Sequence, residues 1–343
     1  MRIADLPDPE LTESRNVLIK ITSGGICGSD IQIWNGTNSL ASYPRVIGHE
    51  FGGMVVDVRP RRNSETDTGK QNTGAHGSGI HPGDLVSVDP VLSCGRCFAC
   101  RTGHPNVCAS LQVMGVHCQG GFSEYMAVPE ENVHKFHTSF PPELVSLTEP
   151  YSIRTQVSER AGLSSGDQVL VMGCGPIGLT VLQAAKAKGA SVIMSDLIPQ
   201  RLDHARQLGA DAVLHAQDPD FQQKLFQYTG QEGIPVVVDT ACTPATLEES
   251  VRLASPAGKV ICLGLKNQPS AISMADITKK ELSILGSRLN NRRFEQVIRH
   301  LEDGSFTPQK LVTHRFHYTE IQDAFQLIIE HPESTLKVIL SFS

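Results

Sequence analysis

Residues 167–196 read "DQVLVMGCGPIGLTVLQAAKAKGASVIMSD", a short apolar run, a glycine turn, a helical stretch and a second apolar run ending on an acid. In a turn of this kind, opening a helix directly after a strand, each glycine has its own task. Gly173 makes the tight turn, Gly175 lets the backbone approach a ligand, and Gly178 lets helix and strand pack closely. A diphosphate then sits on the helix N-terminus, where free N–H groups and the helix dipole favour negative charge. Pro176 and Ile177 complete the turn. Asp196 closes the second run at the distance where an acid accepts hydrogen bonds from ribose hydroxyls and repels a 2′-phosphate. Leu197 and Ile198 follow it, so NAD is favoured over NADP, although Arg201 is close enough to reach a ribose. The competing reading is a glycine turn that holds no ligand.

Further runs of the same texture follow: "DAVLH" (211–215), "IPVVVDT" (234–240), "GKVICLGL" (258–265) and "ELSILGS" (281–287). Short β-branched strands alternating with helices predict a parallel sheet covered on both faces. Six such strands make a doubly wound dinucleotide-type domain. Leu263 and Gly264, where the fifth strand ends, are counted with the cofactor-facing residues. Before residue 150 the texture differs. Runs such as "NVLIKITSGG" (16–25) and "GDLVSVDP" (83–90), punctuated by Gly and Pro, predict a β-rich domain. Residues 59–82 are polar and rich in Gly, Ser and Thr, the composition of an exposed, mobile loop. The tail reads as an amphipathic helix, "YTEIQDAFQLIIEH" (318–331), and a last strand, "TLKVILSF" (335–342).

The 343 residues suffice for two domains, and 40% hydrophobic with 19% charged residues is an ordinary globular balance. A net charge of −6, with basic residues dispersed, argues against nucleic-acid and anionic-membrane partners. No apolar run reaches the roughly 20 residues of a membrane span, and "MRIADLPDPE" lacks the apolar stretch of a secretory signal. Of nine cysteines, Cys94, Cys97, Cys100 and Cys108 crowd into "CGRCFACRTGHPNVC". Four thiolates at that spacing can close a tetrahedron around zinc with no open position, in a reducing compartment such as the cytoplasm. His104 is read as a bystander within the lobe.

Three further segments are ambiguous singly. Cys27, on the flexible "GGICGSD" (24–30), is either a ligand or a small buried hydrophobe. His49 and Glu50 in "VIGHEF" (46–51) fit a metal site or a surface pair. Glu149, before Pro150 in "SLTEPYSI" (146–153), fits a ligand or a helix-start carboxylate complementing the dipole.

In order along the chain, "GICGSD", "GHE", the four-cysteine lobe, "GGFSEY" (120–125), "EP" and "GCGPIG" with Asp196 resemble one family: the medium-chain, zinc-dependent alcohol and polyol dehydrogenases. The resemblance implies an α/β chain with a β-rich GroES-like catalytic domain (1–149), a doubly wound six-stranded Rossmann domain (150–286) and a C-terminal return to the catalytic domain (287–343). It implies two zinc ions per chain and NAD. Cys27, His49 and Glu149 would hold the catalytic zinc, with Glu50 as an alternative ligand, and the four cysteines a structural one. Ser29 would pass the substrate proton towards solvent, and Asp30 would fix the His49 ring.

"YPRVIGHE", "GVHCQGGFSEY", "EPYSI" and "GSRLN" resemble the sugar-acid branch, which includes L-galactonate and L-gulonate 5-dehydrogenases and a starvation-sensing relative. The long 59–82 loop, and Cys118 and Gln119 after His117, depart from its pattern. The expected reaction is oxidation of a secondary hydroxyl on such a hexonate, at C5. His117 and Arg288 are the substrate candidates, within a polar neighbourhood that includes Arg154 and Asn290. Arg288 is suited to a carboxylate because guanidinium pairs with it bidentately, and pairing with the cofactor is the alternative. Sorbitol-like and threonine-type dehydrogenases are alternatives, as is a silent sensing protein on the same fold. A homodimer or homotetramer is expected, pairing through "ELSILGS".

Overall fold

The computed structural model describes residues 1–60, 79–265 and 267–342; residues 61–78 of the loop expected at 59–82 lie outside that set. Strands Gln168–Met172, Ser191–Asp196, Ala212–His215, Ile234–Asp239, Ala254–Cys262 and Ser283–Gly286 form one sheet. In chain order they lie third, second, first, fourth, fifth, sixth, and every adjacent pair is parallel. Parallel neighbours need long crossovers, supplied here by helices such as Pro176–Ala187 and Pro244–Leu253, each started by a proline in its first turn. Alternate residues of the first strand face opposite layers. Val169 and Val171 join one apolar cluster, Leu170 and Met172 another. Burying side chains of this size contributes about 2 kcal/mol each, which is why the strands are apolar throughout. Strand order reverses between the first and fourth strands, and the crevice at such a point is where open α/β sheets bind ligands.

A second sheet of seven strands organises the rest. Its strand Val17–Gly25 pairs along its length with Glu50–Val58. On its other side it pairs first with Tyr125–Val128 and then with Lys337–Ser341. The C-terminal strand thus returns to the N-terminal sheet, where it also runs parallel to Val312–His317. Helix Thr148–Ala161 runs through the junction expected at 149/150. Its first turn carries Glu149, while Tyr151, Val157 and Ala161 pack with the six-stranded sheet. Among the described residues no helix is long and apolar enough to cross a membrane.

Candidate active site

Register places the first group. Gly25 pairs with Glu50, so the strand end before Cys27 meets the strand start after His49. A Cβ on Gly25 would lie 2.1 Å from a Glu50 carboxylate oxygen, so glycine leaves room for that carboxylate where it stands. One ligand atom each from Cys27, His49 and Glu50 falls within 4.8 Å of the others. Asp30, buried in the first turn of helix Gly28–Trp34, takes the Cys27 N–H on one oxygen (2.9 Å). Its other oxygen stands 3.3 Å from His49 Nδ1. Burial lowers the His49 pKa, but Asp30 and the Cys27 thiol outweigh it and raise it well above the usual value. Burial raises the Cys27 pKa, and the bond and charge of His49 outweigh that in turn. Ser29 is half-buried, two residues beyond Cys27.

Glu149 lies outside the 4.8 Å group but faces it electrostatically, with His49, Glu50 and Cys27 all acting on it. Burial above all pushes its carboxyl up to about 8, and Oε1 is buried with no hydrogen-bond partner. A buried, unpartnered carboxylate oxygen is costly unless a cation occupies the space beside it. Two buried cations adjoin this set. Lys337, 5% exposed, donates to Glu50 Oε1 (2.6 Å) and to the Ile26 carbonyl (3.1 Å), and pairs with the second Glu50 oxygen as well. Arg154 is 8% exposed, with Glu149, Cys27, Glu50 and Cys242 around it. Sequence reasoning missed Lys337; the available signal was a lysine within the otherwise apolar "LKVIL" (336–340).

A loop closes over this group. Gly120, Gly121 and Phe122 donate backbone N–H bonds of 2.9–3.0 Å to Val46, Gly48 and Ile47, just before His49. A Cβ on Gly115 or Gly120 would meet the Gly48 carbonyl oxygen at 2.4 Å. His117 rides on this loop, and its Nδ1 accepts from the Val113 N–H (3.1 Å), which leaves the ring proton on Nε2. Burial lowers its pKa, and the charges of Arg288 and Arg45 lower it further, so the ring is a neutral donor. Arg288 is half-buried, its carbonyl held by Asn106 Nδ2 (2.8 Å), while Asn290 Nδ2 is turned away to Asp89 (3.0 Å). Gln119 acts as a clamp, its Oε1 accepting from Val46 N–H (2.7 Å).

In the six-stranded unit, Gly173 has φ 105°, a left-handed conformation that glycine reaches without strain. A Cβ on Gly178 would lie 1.8 Å from the Gly173 carbonyl oxygen, whereas one on Gly175 would meet nothing within 4 Å. The middle glycine thus faces open space, as the approach of a diphosphate requires. Pro176 and Ile177 start the helix. Asp196 accepts from Cys174 N–H (2.6 Å) and Ile198 N–H (2.9 Å), leaving each oxygen one further lone pair. Arg201 Nη2 donates to the Pro332 carbonyl (2.6 Å). Leu263 is half-buried and Gly264 exposed beyond the fifth strand.

Cys94, Cys97, Cys100 and Cys108 converge separately. Cys97 Sγ stands 3.5 Å from Cys100 Sγ and 3.9 Å from Cys108 Sγ. A tetrahedron with zinc–sulfur bonds of about 2.3 Å has edges of about 3.8 Å, so the set fits that ion. Backbone N–H groups of Cys94 and Ser110 point at Cys108 Sγ (3.3 Å each), as thiolates require.

Two family models match the chain: "Alcohol dehydrogenase GroES-like domain" over residues 13–138 and "Zinc-binding dehydrogenase" over residues 176–303. The starvation-sensing protein RspB of Escherichia coli (strain K12) is 40% identical over 347 residues, covering 99% of this chain and 95% of that protein. The L-galactonate-5-dehydrogenase of Escherichia coli (strain K12) is 32% identical over 339 residues, covering 98% and 94%. The crystal structure of the rspB alcohol dehydrogenase from E. coli CFT073, complexed with the cofactor NADH, superposes with a TM-score of 0.86 at 38% identity, covering 98% and 94%.

Proposed function

The chain belongs to the zinc-binding, medium-chain alcohol dehydrogenase family and is an NAD-dependent dehydrogenase, and we propose that its substrate is a sugar acid of the L-gulonate or L-galactonate type, oxidised at the C5 hydroxyl. The observation that carries this is the pair of positive charges, Arg288 and Arg45, acting on His117, whose loop is tied across the segment leading to His49. A hexonate is anionic and covered in hydroxyls. A site that pairs such groups rejects analogues lacking them, because its own buried polar groups would be left unpaired. The relationship to an L-galactonate-5-dehydrogenase points the same way.

In this reading Cys27, His49 and Glu149 hold the catalytic zinc, and Glu50, drawn to Lys337, is the carboxylate that exchanges with them. The zinc supplies a Lewis acid and NAD a hydride acceptor. Asp30 fixes the His49 ring, and Ser29 takes the hydroxyl proton towards solvent. Gly173, Gly175 and Gly178 seat the diphosphate, and Asp196 holds the adenosine ribose. Leu263 and Gly264 line the same side, and Arg288 reads the carboxylate. Strand Ser283–Gly286, at the edge of the six-stranded sheet, pairs two copies across a two-fold axis. Among the described residues the nine cysteines form no disulfide, which suits the cytoplasm.

The test compares a hexonate with the neutral polyol of matching stereochemistry, in wild type and in Arg288→Ala, by the absorbance of reduced nicotinamide. The hexonate is expected to be the better substrate, and the substitution to slow it selectively. A polyol that outperforms the hexonate in wild type overturns the sugar-acid assignment. Equal slowing of both removes Arg288 from carboxylate recognition.

A further inference from the structure

Arg154 has no task in the reading above. It projects from helix Thr148–Ala161 into the protein, 8% exposed, and its Nε is buried without a hydrogen-bond partner. Its electrostatic neighbours come from both units of the chain. Glu149, Cys27 and Glu50 belong to the candidate zinc site, and Cys242 follows the fourth strand of the six-stranded sheet. Glu149 Oε1 is likewise unpartnered, although it lies on the same helix. A guanidinium in this setting keeps its charge, since no protein environment readily strips its proton. The cleft therefore contains a fixed positive charge between the metal-binding residues and the strand ends.

Hydride transfer identifies what must lie there. The substrate C–H bond breaks, its hydrogen and electron pair form a new C–H bond on the nicotinamide ring, and the hydroxyl proton leaves through Ser29. Carbon and ring must be in contact for this, so a bound nicotinamide would have to reach from the strand ends towards the zinc-binding residues. The ring is positively charged before the transfer and neutral after it. We propose that Arg154 stands beside the nicotinamide position and disfavours the oxidised, cationic ring relative to the reduced, neutral one. The enzyme thereby holds NADH more tightly than NAD, which draws the bound equilibrium towards alcohol oxidation. Even at a separation of about 12 Å, with an effective dielectric of about 20, one such charge changes the relative affinity about tenfold, and a closer approach changes it more. The inference does not depend on which alcohol is oxidised.

The experiment uses the zinc-loaded protein. NADH binding is followed by its fluorescence, with NAD and ADP-ribose measured by displacement. Arg154→Gln is expected to reduce the ratio Kd(NAD)/Kd(NADH) about tenfold or more, and Arg154→Lys to keep it near the wild-type value. ADP-ribose, which lacks the ring, should bind all three proteins alike. An unchanged ratio in Arg154→Gln overturns the proposal. So does a loss of ADP-ribose affinity that matches the loss for both nucleotides, because the guanidinium would then be binding a phosphate. If Arg154→Gln does not fold, Cys242→Asp gives an independent reading. Position 242 has φ 57°, which aspartate tolerates, and a carboxylate there would offset the Arg154 charge and lower the ratio. A ratio unmoved by Cys242→Asp also overturns the proposal.

Discussion

Replacing Lys337 with methionine isolates one buried charge pair. The methionine keeps most of the side-chain volume, so little cavity forms. What is lost is the 2.6 Å bond to Glu50 Oε1, the pairing of its other oxygen and the 3.1 Å bond to the Ile26 carbonyl. Glu50 is 1% exposed and cannot turn to water, so it stays buried as an unpaired carboxylate or takes up a proton. Breaking a fully buried pair from one side costs about 3–5 kcal/mol. The double variant Glu50→Gln/Lys337→Met removes both charges and should recover most of that loss. Urea unfolding, with zinc chelated so that no metal compensates Glu50, is read through Trp34. This is the chain's single tryptophan, packed edge-on against Phe325 in the catalytic unit. A loss below about 1 kcal/mol for Lys337→Met, or a double variant no more stable than the single one, would refute this account of the pair.

Cys97→Ser should lower stability and cost one zinc per chain by metal analysis, while Cys27→Ser should abolish turnover and leave the fold intact by circular dichroism. Purified wild-type protein carrying fewer than two zinc ions would contradict both. Asp196→Ala removes the acceptor of the Cys174 and Ile198 N–H groups and is expected to weaken NAD binding by about tenfold or more while narrowing the gap to NADP. Faster turnover of the wild type with NADP at matched concentrations would show the ribose argument to be wrong. Gly178→Ala forces a Cβ to within 1.8 Å of the Gly173 carbonyl oxygen, so the turn must open, and NADH affinity should fall tenfold or more in a fluorescence titration. Unaltered affinity would mean that the turn yields without disturbing the site.

The glycine turn, the six parallel strands and the four-cysteine lobe were legible along the chain because each is set by local chemistry. Gly173 needs a left-handed φ, Gly178 a close approach five residues back, and the thiolates a shared ion within 15 residues of chain. The alternating burial of Val169, Leu170, Val171 and Met172 follows from the period of a strand with both faces covered. Other features appear only when distant segments meet. Lys337 reads as one polar residue in an apolar strand until pairing with Val17–Gly25 sets it against Glu50, 287 positions away. Glu50, rather than Glu149, stands in the tight group with Cys27 and His49 because strand register brings it there. The boundary placed at 149/150 falls inside a helix, since the chain changes texture where one continuous element serves both units. Nor could the sequence show that Val113 fixes the tautomer of His117, or that Arg154 ends between the two units. A local pattern constrains the backbone that carries a residue, but the neighbours of a buried charge are decided by register and packing across hundreds of residues.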